Sequence, residues 1–141
     1  MKLNKSNNSK IKIIIVDDCL MFQRVMKEVL VKEINCEIIG EASNGEEFLL
    51  LDNIHVADII LMDIKMPKLN GFETAKKVTY LYPNAKLIAV TMFSEKIYLD
   101  QIVKAGFKGG ILKSNFFNNI SPAIERVMSG HFYFANDFEL Q

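Results

Sequence analysis

Residues 57–71 read ADIILMDIKMPKLNG. The run 59–62 has the length and the Ile/Leu content of a buried strand, yet it stops on Asp63 and then turns through Pro67. A strand covered on both faces gains nothing by ending on a carboxylate. Asp63 is therefore either a capping residue or a reagent, and the rest of the chain decides which. Four further runs recur at intervals of roughly 25 residues: KIIIV (12–16), CEIIGEA (36–42), KLIAVT (86–91) and GGILK (109–113). With DIILM (58–62) they make five, four of them almost continuously apolar, as strands buried on both faces are. Helix-like spacing fills the gaps: 20–31, 45–51, 72–81, 97–104 and a last stretch to Met128. Strand and helix alternating five times predicts a doubly wound α/β fold with a parallel sheet.

The helix ends agree with this. Ser43-Asn44 can cap the second helix, with Glu46 and Glu47 favourable in its first turn. Gly106 and Gly130 follow helical runs where a left-handed residue ends a helix. Ser121-Pro122 reads two ways, as the start of the last helix or as a bend in one begun near Phe116. A chain of 141 residues, half apolar and 24% charged, suits one soluble domain. Its 17 basic and 17 acidic residues leave no basic excess for nucleic acid. No run is long enough to span a membrane, and Cys19 and Cys36 have neither metal spacing nor a disulfide framework. A cytoplasmic location with reduced thiols is expected. The opening MKLNKSNNSK is polar and basic, and residues 1–10 are expected to form a disordered arm. His55 and His131 lack partners at ligand spacing and read as surface residues; Met21, Met26, Met62, Met66 and Met128 read as core filling.

Extended to their ends, the first strand stops at Asp17-Asp18, the third at Asp63, the fourth at Thr91 and the fifth at Lys113. Strand ends of an open parallel sheet share one edge, where ligands bind. Any one of these residues is ordinary at a strand end; five on one edge are not. Three carboxylates in one crevice repel each other. A divalent cation and the Lys113 ammonium would bring the sum near zero, and hard oxygen ligands suit Mg²⁺. A carboxylate beside such a cation is equipped for in-line phosphoryl transfer, with Asp63 attacking and Lys113 and Thr91 contacting the transferred oxygens.

The ordered set, comprising Asp17-Asp18, DIKMPKLNG, Thr91 and Lys113, resembles the receiver domain of bacterial two-component response regulators over nearly the whole span from Lys12 to Met128. The resemblance implies a flavodoxin-like (βα)5 fold with five parallel strands ordered 2-1-3-4-5. It makes residues 11–130 the receiver and 131–141 a C-terminal extension or the start of a linker. It implies Asp63 as phosphoacceptor, Asp18 as a direct Mg²⁺ ligand, Asp17 as a ligand through water and the Lys65 carbonyl as a further metal oxygen. Thr91 would be the switch hydroxyl and Lys113 the phosphate-pairing cation. The implied partner is a sensor histidine kinase, with a homodimer possible, and the switching face is the fourth helix, fifth strand and fifth helix. Such a chain is no conventional enzyme: it catalyses its own phosphorylation and dephosphorylation. TMFSEKIYLDQIVKAGFKGGILKS and AIERVMSGHFYFA are similar to receivers of the LuxR/NarL-type subfamily, whose longer members carry a C-terminal helix-turn-helix for transcription regulation. No helix-turn-helix is present in these residues, which leaves a receiver cut from a transcription factor or a stand-alone one.

Three features bear on that resemblance. Gly110 stands three before the lysine, where the family usually places a Tyr or Phe that rotates inward. With no ring there, the signal is expected to pass through the backbone of loop 91–94, with Phe107 or Phe93 as moving bulk; alternatively Gly110 relieves crowding beside the fourth helix. Lys65 and Phe93, two beyond Asp63 and Thr91, are expected to flank the phosphoryl group. Ile97, Tyr98, Val103 and Phe107 offer a partner face or ordinary burial. Rival functions fit less well. A phosphatase of the haloacid dehalogenase type needs a second acid two residues on, where this chain has Lys65. A flavin phosphate would be repelled by Asp17-Asp18. A receiver acting only as a phosphorylation-independent interaction module is the alternative that Gly110 keeps open.

Overall fold

Strand β1 (Ile11–Val16) runs through the middle of the domain, with every residue but Lys12 buried. The computed structural model describes residues 9–138. The expected arm falls on residues 1–8, outside that range, and on Ser9 and Lys10, which are exposed. After β1 come α1 (Leu20–Glu33), β2 (Cys36–Ala42), α2 (Gly45–Leu49), β3 (Ile59–Met62), α3 (Gly71–Leu81), β4 (Leu87–Thr91), α4 (Lys96–Lys104), β5 (Gly109–Leu112), α5 (Phe116–Met128) and β6 (Tyr133–Phe134).

The sheet order is β2-β1-β3-β4-β5-β6, parallel throughout. The order of the first five strands is the expected one; the strand count is corrected from five to six. After α5 the chain turns at Gly130 (φ 86°), and Tyr133 and Ala135 donate to the carbonyls of Lys108 and Gly110 at 3.1 and 2.9 Å. The four residues HFYF are too short and too uniformly aromatic to show a period, so only the open edge of β5 reveals that a strand can add there. Residues 131–138 thus pack on the domain, with Ala135 and Phe138 in the core.

Local chemistry explains the remaining ends. Asn44 Oδ1 accepts the Glu47 N–H at 2.9 Å while the Glu47 carboxylate accepts the Ser43 N–H at 3.1 Å, a reciprocal cap for α2. Pro122 lies inside α5, which begins at Phe116, so the second of its two sequence readings holds. Gly106 ends α4 at φ 102°. Met26, Met62 and Met66 are buried and Met128 partly so, but Met21 is 74% exposed because it occupies the solvent face of α1's first turn. His55 and His131 are exposed.

Candidate site at the carboxyl edge of the sheet

The backbone delivers the first two carboxylates before any side chain acts. The Asp17 N–H extends the β1–β2 ladder to the Ala42 carbonyl (3.0 Å), and the Asp63 N–H extends the β1–β3 ladder to the Val16 carbonyl (2.9 Å). Both aspartates are therefore held in register one residue past their strands, and both are buried. Asp17 Oδ1 accepts the Cys19 N–H at 2.9 Å, and Asp63 Oδ1 accepts the Ile64 N–H at 2.8 Å. Each thus has one oxygen anchored to its own turn and one turned inward. Lys113 Nζ meets both inward oxygens, at 2.9 Å from Asp17 Oδ2 and 3.2 Å from Asp63 Oδ2. Its ammonium also lies 4.8 Å from the centroid of the Phe22 ring.

Asp18, exposed, completes the cluster: carboxylate oxygens of Asp17, Asp18 and Asp63 all lie within 4.8 Å of one another. Three negative charges face one positive charge. The imbalance shows in the ionisation of Asp63, whose carboxyl is pushed up to about 6 by burial and then by the Asp17 charge, against the pull of Lys113 and the Ile64 N–H. Burial works to lower the Lys113 ammonium, but its close contact with Asp17 and the charges of Asp63 and Asp17 prevail and raise it. Asp17 Oδ2 is buried and receives no aligned hydrogen bond, its contact being the Lys113 ion pair. A small divalent cation with oxygen ligands fits this donor set, and Asp17, Asp18 and Asp63 are the side chains that would hold it.

Thr91, fully buried, ends β4 beside Leu112 of β5, and its Oγ1 accepts the Phe93 N–H at 3.2 Å. Lys65 and Phe93 line the same open cleft of about 740 Å³ with Asp18, Asp63, Met92 and Lys113. The Lys65 ammonium sits 5.8 Å from the Phe93 ring, which stacks on Tyr98 at 4.8 Å. The expected crowding at Gly110 exists, but its source is corrected: a Cβ there would meet Phe134 Cδ1 at 3.1 Å and Phe138 Cζ at 3.5 Å, from the sixth strand and its sequel rather than α4. Of the proposed partner face, Phe107 is buried while Ile97 and Val103 are exposed.

Sequence reasoning missed two supporting residues, Gln23 and Phe22, and gave no reason for a third, Gly71. Gln23, buried on α1, donates through Nε2 to the Asp17 carbonyl (2.6 Å) and the Ala42 carbonyl (3.2 Å), fixing the end of β1. Its signal was present, a polar residue on the stripe shared with Met26 and Leu30. Phe22, under the lysine, packs edge-on against Phe116 (5.8 Å) and had no signal beyond being aromatic. Gly71 packs α3 onto the Asp63 turn: a Cβ would lie 2.3 Å from the Asp63 carbonyl oxygen and 2.8 Å from Ile64 Cα. That contact gives the last residue of DIKMPKLNG a reason to lack a side chain.

Comparison with known proteins agrees with the geometry. Residues 13–125 match the model of the response regulator receiver domain. The chain is 32% identical over 127 residues to the transcriptional regulatory protein DegU of Brevibacillus brevis, covering 90% of this chain and 54% of that one. It is 31% identical over 116 residues to the chemotaxis protein CheY of Thermotoga maritima, covering 82% of this chain and 96% of that one. The chain thus spans little more than half of DegU and nearly all of CheY. In fold it resembles a LuxR-family two-component response regulator from Aurantimonas (TM-score 0.86, 22% identity, covering 92% of this chain and 93% of that one). The family match over four-fifths of the sequence, together with the acid pair, the central aspartate and the lysine meeting at one sheet edge, places this chain in the receiver domain family of two-component response regulators.

Proposed function

We propose that the chain is a Mg²⁺-dependent phosphoacceptor, in which Asp63 takes a phosphoryl group from the phosphohistidine of a sensor kinase. The observation that carries this is the sharing of one ammonium between Asp17 and Asp63 beside a third carboxylate. Asp63 is mostly ionised at neutral pH even when raised to about 6, so a nucleophile is available. One Asp63 oxygen attacks phosphorus in line, the bond from phosphorus to the donor nitrogen breaks, and the electron pair leaves with the imidazole. Lys113, freed from part of its hold on Asp63, pairs with a phosphoryl oxygen, and Thr91 donates its hydroxyl to another. Asp17, Asp18, Asp63 and the Lys65 carbonyl would hold the metal. When bound, Mg²⁺ neutralises the carboxylate cluster and the charge building on the transferred oxygens. Lys65 and Phe93 flank the product and set the access of water, which returns the carboxylate and inorganic phosphate.

The new charge at residue 63 biases the α4-β5-α5 face between two arrangements. Exposed Ile97 and Val103 on α4 suit self-association there. In a longer protein the output would be transcription regulation, as the name of DegU suggests for that relative. A cytoplasmic location goes with this reading, because a soluble histidine-kinase substrate is phosphorylated there; among the described residues no helix is long and apolar enough to cross a membrane. Incubation with acetyl phosphate and Mg²⁺, read by intact mass, tests the proposal. One phosphoryl group should be gained, no gain should occur when the metal is chelated beforehand, and none should appear in Asp63→Asn. A chain that stays unmodified would be a phosphorylation-independent interaction module instead.

A further inference from the structure

The strand that the family resemblance did not anticipate sits beside the residue that departs from it. Gly110 pairs in register with Phe134, so the two point to the same face of the sheet. With Phe134 Cδ1 at 3.1 Å and Phe138 Cζ at 3.5 Å from an added Cβ, the space a side chain at 110 would fill is already taken by those two rings. On the opposite face of β6, the Tyr133 hydroxyl donates to Asn119 Oδ1 of α5 at 2.7 Å. The segment is thus clipped to β5 by a short parallel ladder flanked by the Tyr133 and Ala135 N–H bonds, to α5 by Tyr133, and to the end of the site by one more contact. Asn115 Nδ2 donates to Asp137 Oδ2, and Asn115 closes the 3₁₀ turn 113–115 whose first residue is Lys113.

A short chain of contacts therefore runs from the two carboxylates through Lys113, its turn, and Asn115 to Asp137 and the rings of Phe134 and Phe138. We infer that segment 133–138 is an internal reporter of the state of Asp63, its aromatic rings standing in for a side chain at 110 and its docking coupled to the position of Lys113. The inference rests on the reading of Asp63 as phosphoacceptor. When Lys113 turns from Asp17 and Asp63 toward a phosphoryl oxygen, its turn moves, the Asn115–Asp137 contact is lost, and the segment loosens. The attachment is suited to release. It is a two-residue strand at a sheet edge, and Asp137 Oδ1 is buried with no hydrogen-bond partner, so docking carries an uncompensated desolvation cost.

The test is hydrogen exchange resolved by NMR at the Tyr133 and Ala135 amides, before and after treatment with acetyl phosphate and Mg²⁺, with intact mass recorded on the same samples. Phosphorylation should speed exchange of both amides at least about fivefold, the lower end of ordinary coupling between sites. Asp137→Ala, which cuts the link at a half-buried turn away from the carboxylates, should take up phosphate as before while the two amides exchange at one rate in both states. Full phosphorylation with unchanged or slower exchange overturns the inference and leaves the phosphoacceptor reading intact. Absence of any mass gain overturns both. A phosphorylation-dependent change that persists undiminished in Asp137→Ala also overturns the inference, because it assigns the coupling to that contact.

Discussion

The centre of the sheet and its β5–β6 side are built on opposite plans. Under the charged centre, β1 and β3 are aliphatic strands buried on both faces, and each carries its aspartate one residue beyond on a continuing ladder. At the far edge, β5 begins with two glycines and takes its bulk from the aromatic rings of a later segment. The first plan holds carboxylates where they repel one another; the second leaves an edge that is cheap to rearrange. The difference teaches that stability and response are placed in different strands. A rigid frame imposes the charge conflict at Asp63, and a thinly held edge is free to register its resolution.

Substitutions should separate the two plans by size of effect. Lys113→Ala leaves two buried carboxylates without their shared cation, and about 3 kcal/mol of stability should go with it at neutral pH. Chemical denaturation would show this as a lower midpoint at unchanged slope. A loss below about 1 kcal/mol would mean that the rim is far more hydrated than its burial implies. Next in size is the pH dependence of Asp63. Its folded carboxyl lies above the ordinary value, so the folded state binds the proton more tightly than the unfolded one. That contribution is fully present below about pH 4 and is lost as pH rises through about 6. Denaturation of the wild type measured against Asp63→Asn should diverge across this window by on the order of 2–3 kcal/mol, the variant being the more stable at pH 7. Curves that run parallel would remove the charge conflict from the account.

Gly71→Ala forces a methyl against the Asp63 carbonyl and Ile64. A loss of roughly 2 kcal/mol is expected, with slower phosphate uptake because the turn carrying Asp63 must move. Asn44→Ala, which removes one half of the α2 cap, should cost about 1 kcal/mol and leave phosphate uptake unchanged. Gly110→Ala at the soft edge should cost least, below about 1 kcal/mol, because the Phe134 ring need give only a few tenths of an ångström. If Gly110→Ala proved as damaging as Lys113→Ala, the contrast between frame and edge would fail.

How far the sequence carried differs along the same line. The buried strands announced themselves through unbroken aliphatic runs, and the polar residues that ended them marked the rim, because a charge after such a run has few structural uses. Asp17, Asp63 and Lys113 meet as that reasoning expected. Gln23 was legible in principle, as a polar break in an apolar helical stripe. Phe22 was not, because an aromatic on a helix face says nothing about which cation lies over it. The sixth strand was hidden for a related reason: Tyr133–Phe134 has no period, and its pairing depends on the open edge of Gly109–Gly110, 24 residues earlier in the chain. Gly110 was noticed, but what crowds it comes from that same unseen strand, so its neighbour was assigned to the wrong element. Short-range pattern reports buried frames well and reports late, non-local additions poorly.

The central claim is that carboxylates from β1 and β3 form one cation-organised centre with Lys113. Titration of Mg²⁺ into the isotopically labelled chain, followed by backbone amide NMR, tests it most directly. Saturable shifts confined to Asp17, Asp18, Cys19, Asp63, Ile64 and Lys65, and weakened in Asp18→Asn, are the predicted result. Shifts scattered over the surface, or none that saturate, would contradict it.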